Sequence, residues 1–234
     1  MSSREVTQLA LAVHLPDDET FTSFLAGGNQ SVVEAIQSYL ELEQSHTGLL
    51  VIGPSGVGKS HLLHAACTYF CHSRATICVP LEQYKQMSPE VLDGIEGACL
   101  VCLDNVDAIA GDIEWEMAVF HLFNRIQEND GRLILSASQS PRTRLWALPD
   151  LLSRLEWGLM LEIKTLSDQQ KQNAIKHRAS IRGISLSDEV IQFLVNRLSR
   201  DMRSLMKTLA VLDRASIQAQ RRLTIPFIKQ TLNL

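Results

Sequence analysis

Polar and apolar positions along this chain follow two different rules, one before about residue 165 and one after it. In the first part, short apolar runs at 48–52, 76–81, 99–105, 132–138 and 159–163 have the length and composition of strands, the first of them suited to burial on both faces. Longer stretches between them repeat at helical spacing. Residues 31–44 carry Val32, Val33, Ile36, Tyr39, Leu40 and Leu42, and 113–129 carries Trp115, Val119, Leu122, Phe123 and Ile126. From Ser167 onward only helical spacing remains. Ser167 is placed as an N-cap with Gln170 at the capping-box position, and Ser187 is a further N-cap followed by Asp188 and Glu189, which favour the helix dipole. Strands alternating with helices, then helices alone, predict an α/β domain with a small all-helical companion. The predicted division is an arm at 1–15, an α/β domain at 16–165 and a helical lid at 166–234.

The first apolar run leads into Gly53-Pro54-Ser55-Gly56-Val57-Gly58-Lys59-Ser60, followed by the helical His61-Leu62-Leu63-His64. This fits G-x-x-x-x-G-K-[ST] at every specified position, in the strand–loop–helix setting that the motif needs. Glycines let backbone N–H groups converge on phosphate oxygens, and the helix N-terminus adds partial positive charge. Lys59 is placed for the β- and γ-phosphates, and the Ser60 hydroxyl for Mg²⁺. The third strand ends in Asp104, positioned to hold the same Mg²⁺ through water. Many such sites place a second acid next, to polarise the attacking water. Here Asn105 follows, and Asp107 is two positions further on, so the expectation is good binding and slow turnover. Ser138, ending the fourth strand, either senses the γ-phosphate and orients water or simply makes a strand-to-loop transition. Phe21 and Phe24, ahead of Gly27-Gly28, either wall an adenine ring or pin the arm to the core.

Composition narrows the picture only modestly. At 234 residues, with 45% hydrophobic and 21% charged residues, the chain has room for one nucleotide domain and a small companion. No apolar run approaches a membrane span, and no basic segment with an apolar core suggests a secretory signal. Five cysteines, an odd number in mostly apolar surroundings, suggest free thiols in a reducing cytoplasm. His61, His64, Cys67 and Cys71 share one helical arc, but tight packing behind the phosphate loop explains them better than a metal. Cys99 and Cys102 have redox spacing, yet strand alternation sends them to opposite faces. A formal charge of −4 argues against a large general DNA-binding surface. The lid is locally basic, with seven Lys or Arg against Asp201 and Asp213 between Arg197 and Arg222, which fits a solvated face or a DNA-binding patch.

Taken together, Gly58 to Ala65, Ser153-Arg154-Leu155-Glu156-Trp157-Gly158-Leu159 and Asp201-Met202-Arg203-Ser204-Leu205 resemble the AAA+ portion of the bacterial initiator DnaA. Phe21-x-x-Phe24 followed by Gly27 is similar to that family's entry segment. The resemblance covers about residues 18–234. It implies an AAA+ P-loop parallel five-stranded sheet with helices on both faces, plus a small C-terminal helical lid. DnaA would continue past Leu234 into a helix-turn-helix domain, and the stretch from Ser60 to Asp104 looks too short for the extra helix with which initiators grip single strands. Gln8-Leu9-x-Leu11 resembles the short peptides that bind the bacterial sliding clamp; a first strand or a frayed terminus is the plainer reading of that alternation. With this arm, the chain looks most like the DnaA-related regulatory inactivators. By that resemblance the phosphate loop with Lys59, Ser60, His61 and Asp104 holds ADP or ATP with Mg²⁺, ADP being the working form. Ser138 lies in the sensor 1 region, Arg203 is the sensor 2 arginine, and Arg154 is an arginine finger offered in trans. The implied partners are DnaA and the sliding clamp, with DNA reached mainly through the clamp, no membrane, and a homo-oligomer compatible with the sequence. A self-sufficient ATPase or helicase-loader-type protein is the alternative.

Overall fold

The computed structural model describes residues 19–42, 48–70, 75–197 and 202–234. Each apolar run forms a strand: β1 (Leu49–Ile52), β2 (Thr76–Pro80), β3 (Leu100–Asp104), β4 (Arg132–Ala137) and β5 (Leu159–Glu162). All pair in parallel, in the order β2-β3-β4-β1-β5. The strand that feeds the phosphate loop therefore lies inside the sheet, between β4 and β5. Parallel pairing requires a crossover between successive strands, and burial on both faces explains the apolar run of β3, buried at every position, whereas the edge strand β5 leaves Leu159 and Met160 exposed.

α1 (Gln30–Glu41) precedes the sheet, and the helical crossovers are α2 (Lys59–Phe70), α3 (Ile113–Glu128) and α4 (Pro149–Trp157). Strand alternation divides the core between them. Leu49, Val51, Leu100, Cys102 and Ile134 pack with α1 and α2, whereas Leu50, Val101, Leu103, Leu133 and Leu135 pack with α3 and α4. Side chains such as Leu62, Leu63 and Phe123 are almost fully buried. Each contributes about 1.5–3 kcal/mol by leaving water. The stretch between β2 and β3 holds only 3-10 turns, at Leu81–Gln86, Pro89–Leu92 and Ile95–Gly97, and no α-helix.

After β5 the chain is helical: α5 (Asp168–Ile181), α6 (Asp188–Arg197), α7 (Met202–Ala219) and α8 (Ile225–Leu232). Ser167 and Gln170 form the expected reciprocal cap of α5, and Ser187 Oγ accepts from the Val190 N–H at 3.4 Å. The four helices have their own apolar centres. Val190, Leu194, Leu212, Leu223 and Ile228 form one, and Ile175, Ile191, Val195 and Leu205 form the other. Among the described residues, no helix is long and apolar enough to cross a membrane.

Candidate functional site

Beyond the carboxyl ends of β1, β3 and β4 lies a cavity of about 370 Å³, lined jointly by the glycine loop, the entry segment and the lid helices. Open parallel sheets place their ligands at this edge. The loop takes its shape from glycine. At Gly58, φ is +103° and a Cβ would lie 2.7 Å from Phe24 Cε2; at Gly53, one would lie 2.7 Å from the Ile163 carbonyl oxygen. Only the missing side chain lets the loop pass so close to both neighbours.

Lys59, the first residue of α2, is 6% exposed. Its ammonium curls back onto the loop, donating to Gly53 O at 2.6 Å and Pro54 O at 2.9 Å. Burial holds its pKa below the ordinary lysine value, with Asp104 and Asp107 opposing that shift and Arg203 reinforcing it. Ser60 Oγ donates to Asp104 Oδ2 at 2.6 Å, and Ser136 donates to the other oxygen of Asp104. A hydroxyl and a carboxylate held together, both hard oxygen donors, suit Mg²⁺ sharing phosphate oxygens and water.

Asn105, also in the cavity lining, adopts a left-handed conformation (φ +60°), and its N–H donates to Ser136 Oγ at 2.8 Å. The carboxylate of Asp107 is committed elsewhere. It accepts from the Ser138 hydroxyl and, at 3.2 Å, from the Ser138 N–H, while Arg144 approaches it at 3.5 Å. Ser138 therefore offers the cavity an acceptor oxygen, which suits a water better than a phosphate.

The entry segment joins the phosphate loop to the lid. His61 Nε2–H donates to Thr20 O at 2.9 Å, and His64 Nδ1 meets Glu19 Oε2 at 2.5 Å. From α5, His177 donates to Thr22 O at 3.0 Å and Arg178 to Ser23 Oγ at 2.8 Å. Burial keeps His61 below the ordinary imidazole value. Burial opposes the charge on His64 too, but the hydrogen bond and charge of Glu19 outweigh it, and its pKa rises. His61 and His64 thus bind adjacent residues of the entry segment, Thr20 and Glu19. Phe24 lines the cavity, edge-on to His61 with centroids 5.2 Å apart; Phe21 instead stands edge-on to Tyr69, 5.6 Å away. The two aromatics have separate surroundings, which their spacing alone did not reveal.

Arg203 lines the cavity from α7 and pairs with Glu82 at 3.3 Å. Arg154, in the last turn of α4, is not part of the lining. Its guanidinium lies 5.3 Å from the ring centroid of Trp157 and 5.8 Å from that of Phe123. The neighbouring Glu156 is taken by Arg142 at 2.6 Å, and among the described residues no carboxylate pairs with Arg154. Gln8, Leu9 and Leu11 lie outside the described residues. Cys102 faces Cys67 across 3.6 Å in the α2-side core, and the four described cysteines are free.

Beyond Arg203, sequence reasoning missed what the lid brings. Arg178, 6% exposed, and also Arg182 and Lys207, line the cavity alongside Ala174, Met206 and Ala210. A signal existed for one of them. Arg178 falls in the buried stripe Ala174, Ile175, Arg178, Ala179 of α5, and an arginine on an apolar stripe calls for a reason.

A parallel P-loop sheet whose carboxyl edge is roofed by a small helical domain defines the AAA+ class of nucleotide-binding folds. Within that class, the chain matches the family model of the bacterial DnaA ATPase domain over residues 15–162 and that of the Hda lid domain over 168–232; it belongs to the DnaA-related AAA+ family. Among solved structures it is similar to domain III of the Thermotoga maritima replication initiation protein DnaA, at 17% identity and TM-score 0.77, covering 93% of this chain and 97% of that one. AMPPCP-bound DnaA from Aquifex aeolicus matches at 24% identity and TM-score 0.68, over 85% of this chain and 66% of that one. The Thermotoga maritima RuvB Holliday junction branch migration motor is more distant, at 15% identity and TM-score 0.60, over 87% and 68%.

Proposed function

We propose that this protein is a nucleotide-bound regulator of the replication initiator. It docks on the DNA-loaded sliding clamp through Gln8-Leu9-x-Leu11 and offers Arg154 to ATP held by a neighbouring DnaA. Hydrolysis there converts the initiator to its ADP form and prevents re-initiation. The observation that carries this reading is the separation of Arg154 from the cavity. Its rigid, always-charged fork lies against Trp157 and Phe123, and no carboxylate among the described residues pairs with it. In a partner's site it would meet charge developing on the transferring phosphoryl group.

The chain's own cavity supports a holding role. Lys59, Ser60 and the loop N–H groups would grip the phosphates of an adenine nucleotide, with Phe24, Leu25 and Met206 toward the base. Mg²⁺, between Ser60, Asp104 and the phosphates, would neutralise their charge. Asn105 cannot act as a carboxylate base, and Asp107 is occupied by Ser138 and Arg144, so intrinsic turnover is weak and ADP is the working form. The match to a Hda lid supports a regulator over a motor or loader. DNA is reached mainly through the clamp, in the cytoplasm.

The deciding experiment measures hydrolysis of DnaA-bound ATP with and without this protein, in the presence of clamp loaded on DNA. Stimulation that requires both this protein and the clamp is expected. Absence of stimulation, together with robust ATP turnover by the purified protein alone, would favour the self-sufficient ATPase.

A further inference from the structure

We propose that Glu82 sets the phosphorylation-state preference of the cavity, disfavouring a nucleoside triphosphate relative to a diphosphate. The inference rests on the nucleotide reading of the cavity given above. The lining is chemically mixed. Leu25, Leu166, Met206 and Ala210 are apolar, residues 55–60 are the glycine loop and the start of α2, and Glu82, Asn105 and Ser138, which follow β2, β3 and β4, are polar. A nucleotide with its base against the apolar group directs its terminal phosphate past the glycine loop toward the polar one. Topology places Glu82 there. β2 and β3 are parallel, with Pro80 in register with Asp104, so the residues that follow each strand emerge side by side at the sheet's carboxyl edge. Asn105 comes next after Asp104, and Glu82 lies two residues after Pro80.

The charges at this edge are unequal in what they are free to do. Asp104 is engaged by Ser60 and Ser136, and Asp107 by Ser138 and Arg144. Glu82 points across the cavity mouth to the lid, where its Oε2 lies 3.3 Å from Arg203 Nη1. Arg203 in turn stands close enough to Lys59 that its charge helps depress the lysine, after burial. A diphosphate that ends at Lys59 and Ser60 leaves the Glu82–Arg203 pair in place. A third phosphate brings more negative charge toward the Glu82 carboxylate and competes with it for Arg203. Both effects have the same sign. For partly solvated charges a few ångströms apart, screening limits the penalty to roughly three- to tenfold in affinity.

Titration calorimetry with Mg-ADP and with the non-hydrolysable Mg-AMPPCP tests this on the full chain. The readout is the ratio of the two dissociation constants. Glu82→Gln keeps the shape and removes the charge, and it should shift the ratio toward AMPPCP by about three- to tenfold. Glu82→Lys should shift it further. The Glu82 side chain is 62% exposed, so neither change asks the core to rearrange. A ratio that stays at the wild-type value in both variants overturns the proposal while leaving the cavity reading intact. Failure of wild-type protein to bind either nucleotide overturns both.

Discussion

Lys59 shows how a single residue is prepared for a ligand. Its ammonium, buried and depressed, is satisfied by two carbonyls of its own loop, so a phosphate can take over from them without any change of fold. Lys59→Ala should therefore lower ADP affinity by at least about tenfold, about 1.4 kcal/mol, in titration calorimetry. Unchanged affinity would refute the phosphate reading of the loop. The residues of this loop were legible because the motif is local: eight consecutive positions specify both the backbone and the chemistry. Phe21 and Phe24 were not separable in the same way. They sit three apart in a non-helical segment, and which of them faces the cavity depends on Tyr69 and His61 of α2. Arg178 is an extreme case, since its contact with Ser23 joins residues 155 positions apart.

At the scale of elements, the five strands and the capped start of α5 follow from apolar runs and caps that the chain displays openly, because strands of a parallel sheet read as near-continuous apolar runs wherever both faces are covered. The connection between β2 and β3 was legible only as too short for an added helix. Its 3-10 turns span three to six residues each, too few for a periodic pattern to develop. The entry segment is the element whose docking responds to pH. Glu19 is held below its ordinary value of 4.5: burial pushes it up, but its bond to His64 and nearby positive charges outweigh that. A lowered acid contributes stability that is complete above its unfolded pKa and is lost as pH falls through its folded one. His64 is raised above 6.5, so its contribution is complete below that value and is lost as pH rises through the folded pKa. The pair thus supports docking most fully between about pH 4.5 and 6.5 and weakens on the alkaline side as pH rises through the raised pKa of His64. Glu19→Gln should remove up to about 1 kcal/mol near pH 6 and much less at pH 9. Thermal unfolding of both proteins across that range checks it, and a difference that does not vary with pH would refute the pairing.

For the molecule as a whole, the proposal assigns three tasks to three separate places: the cavity holds a nucleotide, the arm finds the clamp, and α4 acts on a partner. Separate tasks should be separately removable. Gln8→Ala with Leu9→Ala should abolish clamp binding while ADP binding stays intact, because an extended-peptide mode relies on a few side-chain pockets. Arg154→Ala should spare both binding activities, since its guanidinium lies off the cavity lining and stacks on Trp157 and Phe123. It should nevertheless remove most of the stimulated hydrolysis of DnaA-bound ATP, an effect on the order of 10³-fold for an arginine supplied in trans. Arg154→Lys should rescue poorly, because an ammonium lacks both the planar fork and its stacking on the rings. An ordinary structural salt bridge would predict otherwise: a modest loss of stability, recovered by lysine, and full stimulation. Of the two carboxylate candidates, Glu156 is already bound by Arg142, and no ion pair among the described residues joins Arg154 to Asp150. Stimulated hydrolysis near wild-type rates with Arg154→Ala, with clamp and DNA present, would leave the finger without support and move the search for the activating group to another surface.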